Sequence, residues 1–212
     1  DTEKYTSYIN INDFDYGVTG AKWLVDTIGY KGKIVGLLGK AGVSAAEDTW
    51  KGALSIFDKY PGIKVIASEY CDWTFSKSKM AMENIITAQP EIDGIFTVSG
   101  GIARGAIEAL LAAGREVPPI CANDENGFMK MWKKYNLTAY AYIKPVWLSQ
   151  RGLQIGLDIL QGNPTSKVNV IPSPTITKET LDEFLRPNLP DSLSCNTHLS
   201  DEKIEELFPK GE

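Results

Sequence analysis

The residue types that most often do chemistry are arranged here in ways that discourage catalysis. The single histidine, His198, lies in a proline-punctuated C-terminal stretch, far along the chain from every strand-to-helix loop. A Ser–His–Asp relay or an imidazole-rich metal site is therefore hard to assemble. The three cysteines, Cys71, Cys121 and Cys195, are widely spaced without a CxxC pair; an odd number cannot pair completely within the chain, so buried, inert thiols are expected. GLLGKAGVS sets glycines and a lysine behind an apolar run, but it matches neither GxxxxGK[ST] nor GxGxxG. Gly39 and Gly42 read as a tight strand-to-helix turn, with backbone amides near an anion as the alternative. Ser99-Gly100-Gly101 lacks the glycine two residues before the serine that a nucleophile elbow needs. Ser76 to Lys79 fits SxxK but falls within a regular amphipathic helix. No set of residues reads as catalytic, and none calls for a metal or a cofactor.

Binding chemistry is better served. Trp73 follows Asp72 directly after an apolar run, where a flat aromatic can stack on the face of a sugar ring while carboxylates and amides take its hydroxyls. Asp124 and Asn126 follow the run PICA and supply both of those groups. A structural reading stands beside each: Trp73 packs the start of its helix, and Asp124 caps one.

The elements that must position these residues alternate regularly. Short apolar runs at Lys33 to Leu38, Ile63 to Ser68, Asp93 to Val98, Pro119 to Ala122 and Thr138 to Tyr142 suit strands buried on both faces of a parallel sheet. Between them, Tyr16 to Ile28, Ala45 to Lys59, Ser76 to Ala88, Ile102 to Ala113, Asn126 to Tyr135 and Leu148 to Leu160 carry apolar residues at helical spacing. Such alternation with short linkers predicts right-handed βαβ units in a doubly wound α/β sheet. Ligands of such sheets bind beyond the carboxyl ends of the strands, which selects Gly39 to Ser44, Glu69 to Thr74, Ser99 to Gly101, Asn123 to Asn126 and Tyr142 to Trp147. Past Pro164 the pattern changes. Val168 to Ile171 reads as a strand, Thr177 to Phe184 as a short helix capped by Thr177, Pro187 to His198 as an extended strap, and Ser200 as the cap of a final helix.

Composition bounds the partners. The 212 residues carry 22 basic and 27 acidic side chains, a net charge of −5, against the clustered basic face that nucleic acid requires. The densest basic stretch, Lys130 to Lys134, reads as the solvated side of a helix. No apolar run approaches the ~20 residues that span a bilayer, and no signal peptide is visible.

The ordered series YPGIKVIASEYCDWTFSKSKMAMENIITAQPEIDGIF…GAIEALLAAGRE…ANDENGFMKMWKK…LQGNP resembles the type I periplasmic sugar-binding proteins, the ribose-binding-like receptors of bacterial ABC importers. The tail RPNLPD…LSDEKIEELF is similar to the ends of sugar-importer receptors of this group. The resemblance implies two α/β lobes closing over a sugar about three hinge crossings, a non-catalytic receptor that serves a membrane permease, and an extracytoplasmic location, periplasmic or lipid-anchored. Residues 1–11 then look like the first crossing, 12–143 like the ligand-binding second lobe, 144–172 like a return segment of a first lobe otherwise missing, and 173–212 like the final crossing and tail. The orphaned return helix, with Leu148, Ile155 and Ile159 on one stripe, is expected to dock on this lobe or to be shielded by another copy of the chain.

Residue by residue, the resemblance places Trp73 at the family's stacking aromatic and Asp124 at its sugar carboxylate. Ser99 stands where an asparagine usually contacts the sugar, with Gly100 replacing the aspartate that follows. Thr49 falls at a binding arginine, just after Glu47 and Asp48, and Lys40 at an apolar contact. The hinge-side glutamine falls at Ile143 or Lys144. These departures argue against ribose itself and for a different hydroxyl pattern. Two other readings remain: the effector core of a LacI-type regulator, and a flavodoxin-like enzyme.

Overall fold

A computed structural model describes residues 2–195, 197 and 199–207. Five parallel strands make up most of one sheet: β2 (Gly32–Leu38), β3 (Ile63–Tyr70), β4 (Gly94–Thr97), β5 (Ile120–Asn123) and β6 (Ala139–Tyr142), with β3 a largely exposed edge strand rather than one buried on both faces. A short antiparallel edge strand, β8 (Thr175–Ile176), completes it in the order β3-β2-β4-β5-β6-β8. The chain leaves β2 toward β3 on one side and returns to β4 on the other, so the order reverses at β2 and opens a crevice beyond the strand ends there.

Helices α1 (Asp13–Thr27) and α2 (Ser44–Phe57) pack together over one face; α3 (Phe75–Ala88), α4 (Gly100–Ala112) and α5 (Asn126–Tyr135) cover the other. The α1–α2 contact is backbone to backbone: a Cβ on Gly17 would lie 1.9 Å from the Thr49 carbonyl oxygen, and one on Gly52 2.1 Å from that of Phe14. Leu24, Ile34, Leu37, Ile95, Phe96, Ile107 and Phe128 fill the layers between helices and sheet with no exposed surface. The alternating pattern is thus realised as a doubly wound α/β fold.

A second, two-stranded parallel sheet pairs β1 (Tyr8–Asn10) with β7 (Val168–Val170), and α6 (Leu148–Leu160) packs beside it. Ile155 is buried, Leu148 and Ile159 are half-buried, and Leu153, Leu157 and Leu160 face outward, the last 84% exposed.

The tail departs from its expected local structure in two places. The short helix α7 spans only Leu181–Phe184; Thr177 does not cap it, and its amide instead donates to the Thr180 hydroxyl. The strap from Pro187 runs to Cys195 across the start of α5; His198 lies outside the described residues. The last helix, α8 (Asp201–Leu207), follows Ser200, whose Oγ accepts the Lys203 amide. Lys133 and Lys134 lie on the exposed side of α5 as expected, Lys133 pairing with the exposed Asp182, whereas Lys130 is half-buried and donates to the Leu189 carbonyl and to Asp191 at 2.6 and 2.9 Å.

Candidate functional site

On the β2–β3 side of the crevice the chain makes an uncommon turn. Asp72 and Trp73 both take left-handed backbone conformations, φ 49° and 56°, a costly choice for residues bearing a Cβ. The turn swings the indole back over the end of β2, where it lies on Gly39. A Cβ there would come within 2.4 Å of the ring, so only glycine fits. Trp73 remains 39% exposed and is not a helix-start packing residue; Thr74 caps α3 instead, its Oγ1 accepting the Lys77 amide. Lys77 pairs with Asp72 and holds that carboxyl below the usual range, with Lys40 adding to the effect. Lys40, next to Gly39, is exposed on the same rim.

The loop bearing Lys40 is pinned by a residue the sequence left in the background. Glu47 Oε1 accepts the Gly42 amide at 3.0 Å and the Tyr70 hydroxyl at 2.8 Å. Those two donors, the amide first, pull its carboxyl pKa down. Thr49, by contrast, is no ligand group. Its hydroxyl donates to the Ala45 carbonyl at 2.7 Å and the residue is buried at the α1–α2 contact.

At the end of β4, Ser99 Oγ accepts the Ile102 amide as the N-cap of α4, and Ser99 is only 9% exposed. The preceding amides of that helix are taken as well: Gly100 donates to Asn123 Oδ1 at 2.6 Å and Gly101 to Glu125 Oε2 at 2.9 Å. A helix start that attracts anions is thus filled by the protein's own carboxylate. Burial pushes the Glu125 carboxyl up despite Arg104 beside it. The pair Gly100-Gly101 was the available signal, since a Cβ on Gly100 would meet Glu125 Cβ at 2.3 Å.

Asp124 has no exposed surface. Its Oδ1 accepts the Lys144 amide at 3.1 Å and its Oδ2 the Ser194 hydroxyl at 3.0 Å, so it serves the β6 exit and the strap and does not cap α5. Lys144 Nζ lies 3.0 Å from the buried Asp13 Oδ1, outside hydrogen-bond geometry, and 5.7 Å from the Tyr16 ring centre. Tyr16, whose hydroxyl burial pushes up to about 12, donates to the Ile143 carbonyl, as does Ser173. Residues 13–16, 143–144 and 173 are therefore tied together where three chain segments meet.

Asn126 corrects the sequence reading most sharply. Its amide nitrogen lies within donating distance of the Arg186, Leu189 and Pro190 carbonyls, at 2.8 to 3.1 Å, and its oxygen accepts the Arg186 amide. Fully buried, it clasps the strap and takes no part in the crevice. Beside it, Arg104 and Lys130 hold Asp191. The three cysteines are buried and unpaired, and burial raises the Cys71 thiol to about 11 and those of Cys121 and Cys195 to about 12.

The periplasmic binding protein domain model matches residues 1–164; the chain belongs to this family. It is 29% identical over 185 residues to the xylitol-binding protein of Mycolicibacterium smegmatis, covering 86% of this chain and 53% of that relative. It is 30% identical over 143 residues to the D-apiose import binding protein of Actinobacillus succinogenes, covering 66% and 46%. The chain thus spans about half the length of these curated relatives. A periplasmic solute-binding protein of an ABC transporter from Actinobacillus succinogenes, solved with bound D-allose, superposes with a TM-score of 0.75 at 26% identity, over 84% of this chain and 63% of that one. The arabinose-binding component from Shewanella sp. ANA-3 shares the fold, with a TM-score of 0.80 at 22% identity over 86% and 63% of the two chains.

Proposed function

We propose that the protein is a non-catalytic solute receptor that binds a monosaccharide or related polyol in the strand-end crevice and delivers it to an ABC-type permease. The carrying observation is Trp73: an indole kept half-exposed at the switch point by two left-handed residues and a bare glycine. Backbone strain of this kind collects where a side chain must be aimed, and an aromatic face beside hydroxyl-binding groups suits a sugar ring. The sugar and polyol specificities named for the relatives support the same class.

In this reading residues 12–143 are the ligand-binding second lobe, 1–11 and 173–212 supply crossings and tail, and 144–172 belongs with the first lobe. The outward leucines of α6 and the exposed Val168 and Val170 are the surface that this lobe, or another copy of the chain, covers. The receptor works outside the cytoplasm, in the periplasm or on a lipid anchor. Closure onto ligand would be a population shift about the cluster that joins Tyr16, Ile143 and Ser173. Calorimetric titration against pentoses, hexoses and polyols tests the reading; heats indistinguishable from dilution across the panel at millimolar ligand would remove it.

A further inference from the structure

Asparagine is a thermolabile side chain, and it is most so before glycine, where no Cβ hinders the backbone nitrogen that can attack the side-chain amide. The sequence holds one such pair, Asn126-Gly127, and it opens α5. Arg104 lies across the glycine, 2.8 Å from where a Cβ would stand. Both reacting groups are covered: Asn126 has no exposed surface and Gly127 is buried. The Gly127 amide, the nucleophile, donates to the Asp191 carbonyl at 2.8 Å. The Asn126 side-chain nitrogen, the leaving group, lies 2.8 to 3.1 Å from the Arg186, Leu189 and Pro190 carbonyls, and Oδ1 accepts the Arg186 amide at 3.1 Å. These partners all belong to residues 186–191, so it is the strap and the turn leading into it that occupy both groups.

We propose that Asn126-Gly127 is a latent deamidation site, held shut by the strap, whose conversion unseats the strap irreversibly. When the strap lifts, the Gly127 nitrogen gives up its proton and bonds to Asn126 Cγ. The Cγ–Nδ2 bond breaks, and the side-chain nitrogen takes a proton and leaves as ammonia. One water then opens the resulting succinimide, at one carbonyl to aspartate and at the other to isoaspartate. Water is the only co-reactant. The product cannot act as a clasp. A carboxylate has acceptors and no donor, yet the strap presents three carbonyls there and a single amide, that of Arg186. Burying a charge among acceptors is costly. Isoaspartate also inserts a carbon into the backbone at the first residue of α5. The effect reaches the crevice, because the strap's Cys195 amide donates to the Asp124 carbonyl at 3.1 Å.

The test is peptide mapping by mass spectrometry, with isoaspartyl methyltransferase labelling, of protein held for days at mildly alkaline pH. The chain unfolded in urea should gain acid in place of amide at Asn126, while the folded parent keeps its amide over the same period. Leu189→Ala combined with Asp191→Ala removes a buried anchor and the partner of Arg104 and Lys130. This variant should form product about tenfold faster than the folded parent, because the rate follows the population of the opened strap. Unchanged tryptophan emission shows that its sheet is still folded; if the emission shifts, Asp191→Ala alone makes the same comparison. Asn126→Asp, which is the product itself, should be cut within residues 186–195 by a protease that spares the parent. A folded parent that deamidates as fast as the unfolded chain overturns the proposal, as does an unfolded chain with no product at Asn126. A loosened strap with the parent's rate shows that the strap is not the shield. An Asn126→Asp protein as resistant as the parent shows that conversion does not release it.

Discussion

The indole of Trp73 rests on the α-carbon of Gly39, so closely that a single added methyl would come within 2.4 Å of the ring. Glycine at the end of β2 is therefore part of how the aromatic is aimed. Gly39→Ala should leave the sheet intact, displace the indole and shift its fluorescence, and weaken sugar binding by roughly the 1–2 kcal/mol typical of an aromatic contact. An unchanged emission spectrum in the variant would show that the contact does not fix the ring.

Removing the ring tests the stack itself. Trp73→Ala should cost about 1–2 kcal/mol of affinity with little loss of stability, because the residue is 39% exposed and outside the core. A large fall in thermal midpoint with normal affinity in the folded fraction would reassign Trp73 to packing.

Asn126 predicts a local effect. Its side chain serves three carbonyls and one amide of residues 186–190, and truncation strands buried polar groups at about 1–3 kcal/mol each. Asn126→Ala should therefore free the strap and make residues 186–195 cleavable by a protease that leaves the parent uncut. Equal resistance in the two proteins would deny Asn126 its role as clasp.

Glu125 gives stability a pH dependence of definite sign. Burial, against the opposing pull of Arg104 and the Gly101 amide, raises its carboxyl above the ordinary glutamate value. The folded state then binds its proton more tightly than the unfolded chain does. That contribution is fully present below the ordinary range and is lost as pH rises through the raised value. Glu125→Gln removes the loss, so its urea midpoint relative to the parent should be higher at pH 7 than at pH 4. The same difference at both pH values would rule this out.

The regular elements were legible because each is a local pattern. The apolar run at 33–38 marks a doubly covered strand, whereas 63–68, expected to be buried on both faces, is the exposed edge strand β3 with only Ile63 buried; α5 and α6 fall on the residues their periodicity predicts. The crevice was legible because it follows from strand order. Individual side chains were less so, since their partners lie far off in sequence. Asn126 looks like a ligand group until Arg186 and Pro190 arrive 60 and 64 residues later. Asp124 looks like a helix cap until Ser194 arrives 70 residues on. Thr49 failed for a different reason: resemblance fixed its position, but a threonine hydroxyl in a helix finds the carbonyl one turn back. β8, two residues between Pro174 and Thr177, is too short to show any periodicity.

The strap also sets an order in time. The amides of Asn126 and Gly127 at the start of α5 donate to carbonyls of Leu193 and Asp191, and the Asn126 side chain waits for Arg186, 60 residues downstream. At a synthesis rate of about 5–20 residues per second, roughly 3–12 seconds pass between the emergence of this helix start and that of its partners. Through that interval the sheet can collapse while its most polar corner stays open. Closure of this corner is thus deferred until a stretch of chain some 60 residues further along has emerged.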